Sequence, residues 1–73
     1  MANPYAITTY TTLRGTNGKV IGMIARNPHT SVQTARKVTG VVVGTYDEKR
    51  DVTYRVSGVQ FSYGNMLAAL LVE

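Results

Sequence analysis

The chain is predicted to be a small α+β domain: a mostly antiparallel sheet with one short helix, in the order β-β-α-β-β-β, closed by a short apolar C-terminal element. Three observations predict it. Runs rich in threonine, tyrosine and valine alternate with the period of a strand. Asn17-Gly18 and the charged cluster Asp47 to Asp51 interrupt those runs where hairpin turns belong. One segment, after Asn27-Pro28, changes to a helical pattern.

The first strand is expected over Tyr5 to Leu13 (YAITTYTTL), and "RGTNGK" supplies the turn into a returning strand from Lys19 to Ala25. Pairing through Asn17-Gly18 puts Ile7, Thr9, Thr11 and Leu13 on one face with Val20, Gly22 and Ile24, the expected core face. Tyr10, Thr12 and Arg14 then share the opposite face with Lys19, Ile21 and Met23.

Asn27-Pro28 breaks the second strand, and Thr30 to Gln33 fits the T-x-x-Q pattern in which side chains satisfy the free N–H groups opening a helix. A helix of about two turns is expected from Ser31 to Val38. Gly40 would end it, and Arg36 and Lys37 in its last turn would complement its dipole.

"VVVGTYDEKRDVTYRV" reads as a hairpin. With Asp47 to Asp51 as the loop, Tyr46 falls opposite Val52, Gly44 opposite Tyr54 and Val42 opposite Val56. Asp47, Glu48 and Asp51 then occupy a solvated tip beside Lys49 and Arg50. Val41 and Val43 land on the polar side of that alternation, which implies a strand covered on both faces. Val59 to Tyr63 is the fifth strand. Gly64-Asn65 leads into Met66 to Val72, either a helix capped by Asn65 or a last buried strand, since so short an apolar run has no decisive period. No internal repeat is visible.

Seventy-three residues make a single domain, 1–73, of a size that buries only about 60% of its unfolded surface. The absence of cysteine excludes a disulfide framework and thiolate metal sites. The longest apolar run has seven residues, against the roughly 20 that span a bilayer. With no signal peptide in evidence, a cytoplasmic protein with no membrane contact is expected, an oligomer being possible.

Charge is unevenly distributed. Arg14, Lys19, Arg26, Arg36 and Lys37 precede Asp47 with no acid among them; from Asp47 onward three cations meet four acids, so +5 and −1 give the net +4. An unopposed basic stretch draws phosphate backbones or acidic protein surfaces, although a charge of this size also serves solubility alone.

Chemistry by the chain's own residues is not expected. His29, the sole histidine, sits in a turn with no spacing that pairs it to Ser31, Ser57 or Ser62. The acids Asp47 and Glu48 flank cations in a tip that neither excludes water nor raises a pKa. One histidine and no cysteine supply no zinc site, and no nucleotide-binding glycine motif occurs, so no metal or cofactor is expected. Gly15-Thr16-Asn17-Gly18 is literally a G-x-x-G, but strands rather than helices flank it, which favours a turn. Tyr5, Tyr10, Phe61 and Tyr63 would serve either as stacking platforms for single-stranded nucleic acid or as ordinary sheet packing.

In length, lack of cysteine and basic character the chain resembles the small RNA polymerase-binding transcription regulators of lytic Xanthomonas bacteriophages. The resemblance implies a non-enzymatic regulator that binds the largest subunit of the host's bacterial RNA polymerase near emerging RNA, inhibits initiation and promotes terminator readthrough. Arg14, Lys19, Arg26, Arg36 and Lys37 are the expected docking cations, with Tyr10, Ile21 or Met23 as an apolar anchor. The alternatives are a small basic DNA- or RNA-binding protein and an anti-defence inhibitor.

Overall fold

The computed structural model describes residues 8–72. Its six strands are β1 (Thr9–Arg14), β2 (Val20–Asn27), β3 (Val32–Lys37), β4 (Val42–Asp47), β5 (Val52–Arg55) and β6 (Gln60–Tyr63), followed by helix α1 (Leu67–Leu71). Each strand pairs antiparallel with the next, in the order β1-β2-β3-β4-β5-β6. The architecture is therefore a six-stranded meander with a terminal helix on one face, not the expected β-β-α-β-β-β order. The part of the predicted first strand before Thr8, including Tyr5 and Ile7, lies outside the described residues.

The expected helix over Ser31 to Val38 is strand β3. Its apparent start signal belongs to a turn: the Ser31 N–H donates to the Asn27 carbonyl at 2.9 Å, and the Asn27 side chain accepts from the His29 N–H at 2.9 Å. Its apparent stop signal, Gly40, is the left-handed residue of the next turn, with φ of 92°. Between the two, Val32, Thr34 and a partner strand on either side outweigh a helical preference that was weak to begin with.

The sheet is built from one hairpin used three times. At the turns β1–β2, β3–β4 and β5–β6, Gly15, Lys37 and Arg55 donate their N–H groups to Lys19, Val41 and Val59, each at 2.8 Å. Gly18, Gly40 and Gly58 close the same turns with positive φ of 81°, 92° and 92°, a backbone region costly for residues with a Cβ. After each turn the register slips by one residue, because Arg14 pairs with Val20 and Leu13 with Gly22, Arg36 with Val42 and Ala35 with Gly44, Tyr54 with Gln60 and Thr53 with Ser62. The extra residue of each β-bulge is Ile21, Val43 or Phe61, and all three pack against the core under α1. The strand alternation places them differently: Ile21 was expected opposite the core, and Val43 on the polar face. The chain thus contains an internal repeat at the level of turn and bulge, carried by little more than one glycine per unit.

The two turns on the other end of the sheet form a second matched pair. Ser31 and Asp51 both adopt φ of 57°, and Asp51 donates its N–H to the Asp47 carbonyl at 2.8 Å as Ser31 does to Asn27. This makes the β4–β5 connection one residue shorter than expected. Asp47 pairs with Val52, Tyr46 with Thr53 and Gly44 with Arg55, so Thr53, not Val52 or Tyr54, faces the core beside Tyr46.

The core lies between α1 and the centre of the sheet. Leu67, Leu70 and Leu71 are buried against Ala35, with Leu13, Ile21, Ile24, Val43, Tyr46 and Phe61 around them. Small residues make the approach possible: a Cβ on Gly44 would stand 2.6 Å from Leu70 Cδ1 and against the Tyr54 carbonyl, and one on Gly22 would stand 2.7 Å from Leu71 Cδ2. Thr53 fastens the helix to the sheet. Its buried hydroxyl donates to the Gly64 carbonyl at 2.6 Å and accepts from the Met66 N–H at 2.9 Å. Met66, not Asn65, occupies the cap position of α1; Asn65 accepts from the Leu67 N–H at 3.3 Å and reaches Gln33 with its amide.

Candidate docking surface

A meander places alternate turns at opposite ends of its sheet, and the charges divide accordingly. Among the described residues, the end carrying the β1–β2, β3–β4 and β5–β6 turns holds Arg14, Lys19, Arg36, Lys37 and Arg55 and no acid. The opposite end holds Arg26, Lys49 and Arg50 with Asp47, Glu48 and Asp51, a balance of zero. These sum to +5, and Glu73, outside the described residues, brings the chain to +4. Adjacent strands lie about 4.8 Å apart, so three successive tips span roughly 20 Å of cationic edge.

The neutral end is structural. Arg26 makes a bidentate ion pair with Glu48, at 2.5 and 2.8 Å, and Gln33 donates to the same carboxylate at 3.0 Å. The hydrogen bonds from Arg26, then Gln33, hold the Glu48 carboxyl down to about 2, against some desolvation. The same pairing raises the Arg26 pKa. Glu48 also donates its backbone N–H to the Ser31 carbonyl at 3.0 Å, tying the two turns of this end together. The Asp47 carboxylate accepts from the N–H groups of Lys49 and Arg50, and Asp51 accepts from the Tyr46 hydroxyl at 2.6 Å, which raises the Tyr46 pKa. Arg26 therefore stands apart from the other five residues chosen from the sequence, with its guanidinium committed to Glu48. His29 is exposed in the adjoining turn, and among the described residues no group of three or more histidine, cysteine or acidic side chains could hold a metal ion.

At the cationic end, two arginines at equivalent places in the hairpin repeat are braced in the same way. Arg14 Nη1 donates to the Gly18 carbonyl at 2.9 Å, and Arg36 Nη1 donates to the Gly40 carbonyl at 3.3 Å. Each guanidinium is thereby tied to its own turn through one nitrogen, with further N–H donors beyond that bond. Both belong to the face of the sheet without the helix, since Arg14 pairs with Val20 and Arg36 with Met23. Between and beside them runs an open groove of about 260 Å³, lined by Tyr10, Val20, Met23, Ala25, Arg36, Lys37, Val38 and Gly40. Tyr10 and Val38 are each 67% exposed and Met23 42%.

Three of the residues picked from sequence, Tyr10, Arg36 and Lys37, thus meet at one groove, Arg14 and Lys19 stand at the neighbouring tip, and Arg26 is at the far end. Of the suggested anchors, Tyr10 and Met23 line the groove, whereas the bulge turns Ile21 to the core. Val20 and Val38 were missed, although valine at an exposed turn is a signal that could have found Val38. On the helix side of the same tip, Val41 and Val56 are also exposed beside Lys37 and Arg55, the latter stacking over the Phe61 ring at 4.8 Å.

Comparison with protein families, characterised proteins and solved structures finds no match for this chain. Among the described residues no helix is long and apolar enough to cross a membrane.

Proposed function

We propose that the chain is a non-enzymatic docking protein that holds an acidic surface of a partner protein with the end of the sheet carrying the turns at Gly18, Gly40 and Gly58. The observation behind this reading is the separation of charge among the described residues, five cations without an acid at one end, interleaved with exposed Tyr10, Met23, Val38, Val41 and Val56. Cations alone would serve a phosphate backbone equally well. The aliphatic side chains favour a protein, because branched aliphatics offer bases no stacking surface and anchor protein interfaces when buried.

The resemblance in length, lack of cysteine and basic character implies bacterial RNA polymerase, at its largest subunit, as that partner, with the chain acting as a phage-type transcription regulator that inhibits initiation and promotes terminator readthrough. Purified, nuclease-treated polymerase tests it. The chain should bind, reduce promoter-dependent transcripts and lengthen terminated ones, and Arg36→Glu with Lys37→Glu should remove all three effects. Absence of binding would reject the polymerase. Binding to DNA or RNA alone, with a logarithmic salt slope near −0.7 to −0.9 per phosphate contacted, would replace the protein reading by direct nucleic-acid binding.

A further inference from the structure

We propose that the groove between Tyr10 and Val38 receives one large apolar side chain from an extended acidic segment of the partner, with Arg14 and Arg36 holding carboxylates on either side of it. This rests on the protein-docking reading above and specifies the segment that the partner presents.

The groove is apolar in its floor and walls, with Ala25, Val20, Met23 and Val38, and its volume of about 260 Å³ is small. Pockets for small molecules run to roughly 300–1,000 Å³ and carry convergent polar groups, so a single anchoring side chain fits better than a free ligand. A neutral apolar peptide would leave the surrounding charge unused. Among the described residues no acidic side chain lies at this end of the sheet, and the two braced arginines present forked donors of the kind that bind carboxylates with two parallel hydrogen bonds.

Their spacing sets the segment's pattern. Arg14 is on β1 and Arg36 on β3, two strand intervals apart, and Arg36 pairs with Met23, which faces Thr12 two residues before Arg14, so the two stand about 12 Å apart. An extended chain advances about 3.3 Å per residue, so the two carboxylates belong roughly four residues apart, which puts them and the apolar residue midway between them on the same side of the segment. Immobilising these arginines in advance lowers the entropy lost on binding, because their turns already hold them.

The test uses fluorescein-labelled peptides Gly-Ser-Glu-Asp-Leu-Phe-Asp-Glu-Ser-Gly and its counterpart with Leu-Phe replaced by Ser-Ser, beside a labelled oligothymidine, each titrated with the full chain and read by anisotropy. The apolar-anchored peptide should bind at least about tenfold more tightly than the serine peptide, a ratio typical of one buried anchor. Met23→Glu and, as a milder change, Val38→Ser should erase that difference. Both sites are exposed, so an unchanged thermal unfolding curve should confirm that the variants fold. Equal affinity for the two peptides, with Arg36→Glu weakening both, would overturn the anchor while leaving the acidic docking reading intact. Oligothymidine binding above both peptides would overturn the two readings together.

Discussion

Thr53→Val replaces a hydroxyl by a methyl of nearly the same size at the most enclosed polar position of the core. The wild-type Oγ1 fills two roles, donating to the Gly64 carbonyl at 2.6 Å and accepting from the Met66 N–H at 2.9 Å, and Thr53 is completely shielded from solvent. Valine leaves both backbone groups unpaired. Each such loss costs about 1–3 kcal/mol, and the low end applies because Met66 is 40% exposed and water reaches that region. Burial of the added methyl offsets about 0.8 kcal/mol, leaving a net loss of roughly 1–3 kcal/mol. A domain of this length has about 4–11 kcal/mol of stability in total, so the variant should remain folded at 25 °C while melting roughly 5–20 °C lower. Thr53→Ser keeps both hydrogen bonds and loses only a methyl, about 1 kcal/mol. Amide hydrogen exchange separates the two cases: the Met66 N–H should stay protected in the serine variant and exchange rapidly in the valine variant. Equal protection of that amide in wild type and Thr53→Val would refute the claim that this hydroxyl holds α1 to the sheet.

Gly44→Ala should destabilise by about 1–3 kcal/mol in urea titration, because its Cβ meets both the Leu70 side chain and the Tyr54 carbonyl and the latter cannot rotate away. Ser31→Gly should stabilise by about 0.5–1 kcal/mol, since Ser31 holds a φ of 57° that favours glycine; an unchanged midpoint would refute a cost at that turn. Acidification tests the Glu48 network. Its folded pKa, about 2, lies below its ordinary value of 4.5, so its stabilisation is fully present above about 4.5 and is lost as pH falls through about 2. Glu48→Gln should therefore flatten the stability profile across that window.

What the sequence made legible is local. The β1–β2 turn, the β4–β5 turn, β6 and the apolar C-terminal element all follow from signals within a few residues, and each is present in the structure. What it concealed depends on partners distant in sequence. β3 shows no hydrophobic alternation because the residue facing α1 is Ala35, the size that the close helix permits, while Gln33 on the same face serves the Arg26–Glu48 pair. Three bulges hid the repeat by breaking the period of two where Ile21, Val43 and Phe61 turn to the core. At the docking surface, a plain charge count found the basic stretch but grouped Arg26 with it. Only the strand order separates Arg26 from Arg36, because neighbours in a meander point their ends in opposite directions.

The meander also determines when the molecule can become itself. Every strand pairs with a strand adjacent in sequence, so the hairpins can form early and quickly from local contacts. Three of the five buried apolar residues, however, come from α1, the last described element. Six paired strands without α1 therefore make a sheet with one face open, and the docking of that short helix closes it. Folding here is a late commitment, in which the final turn of helix decides whether hairpins already formed are kept.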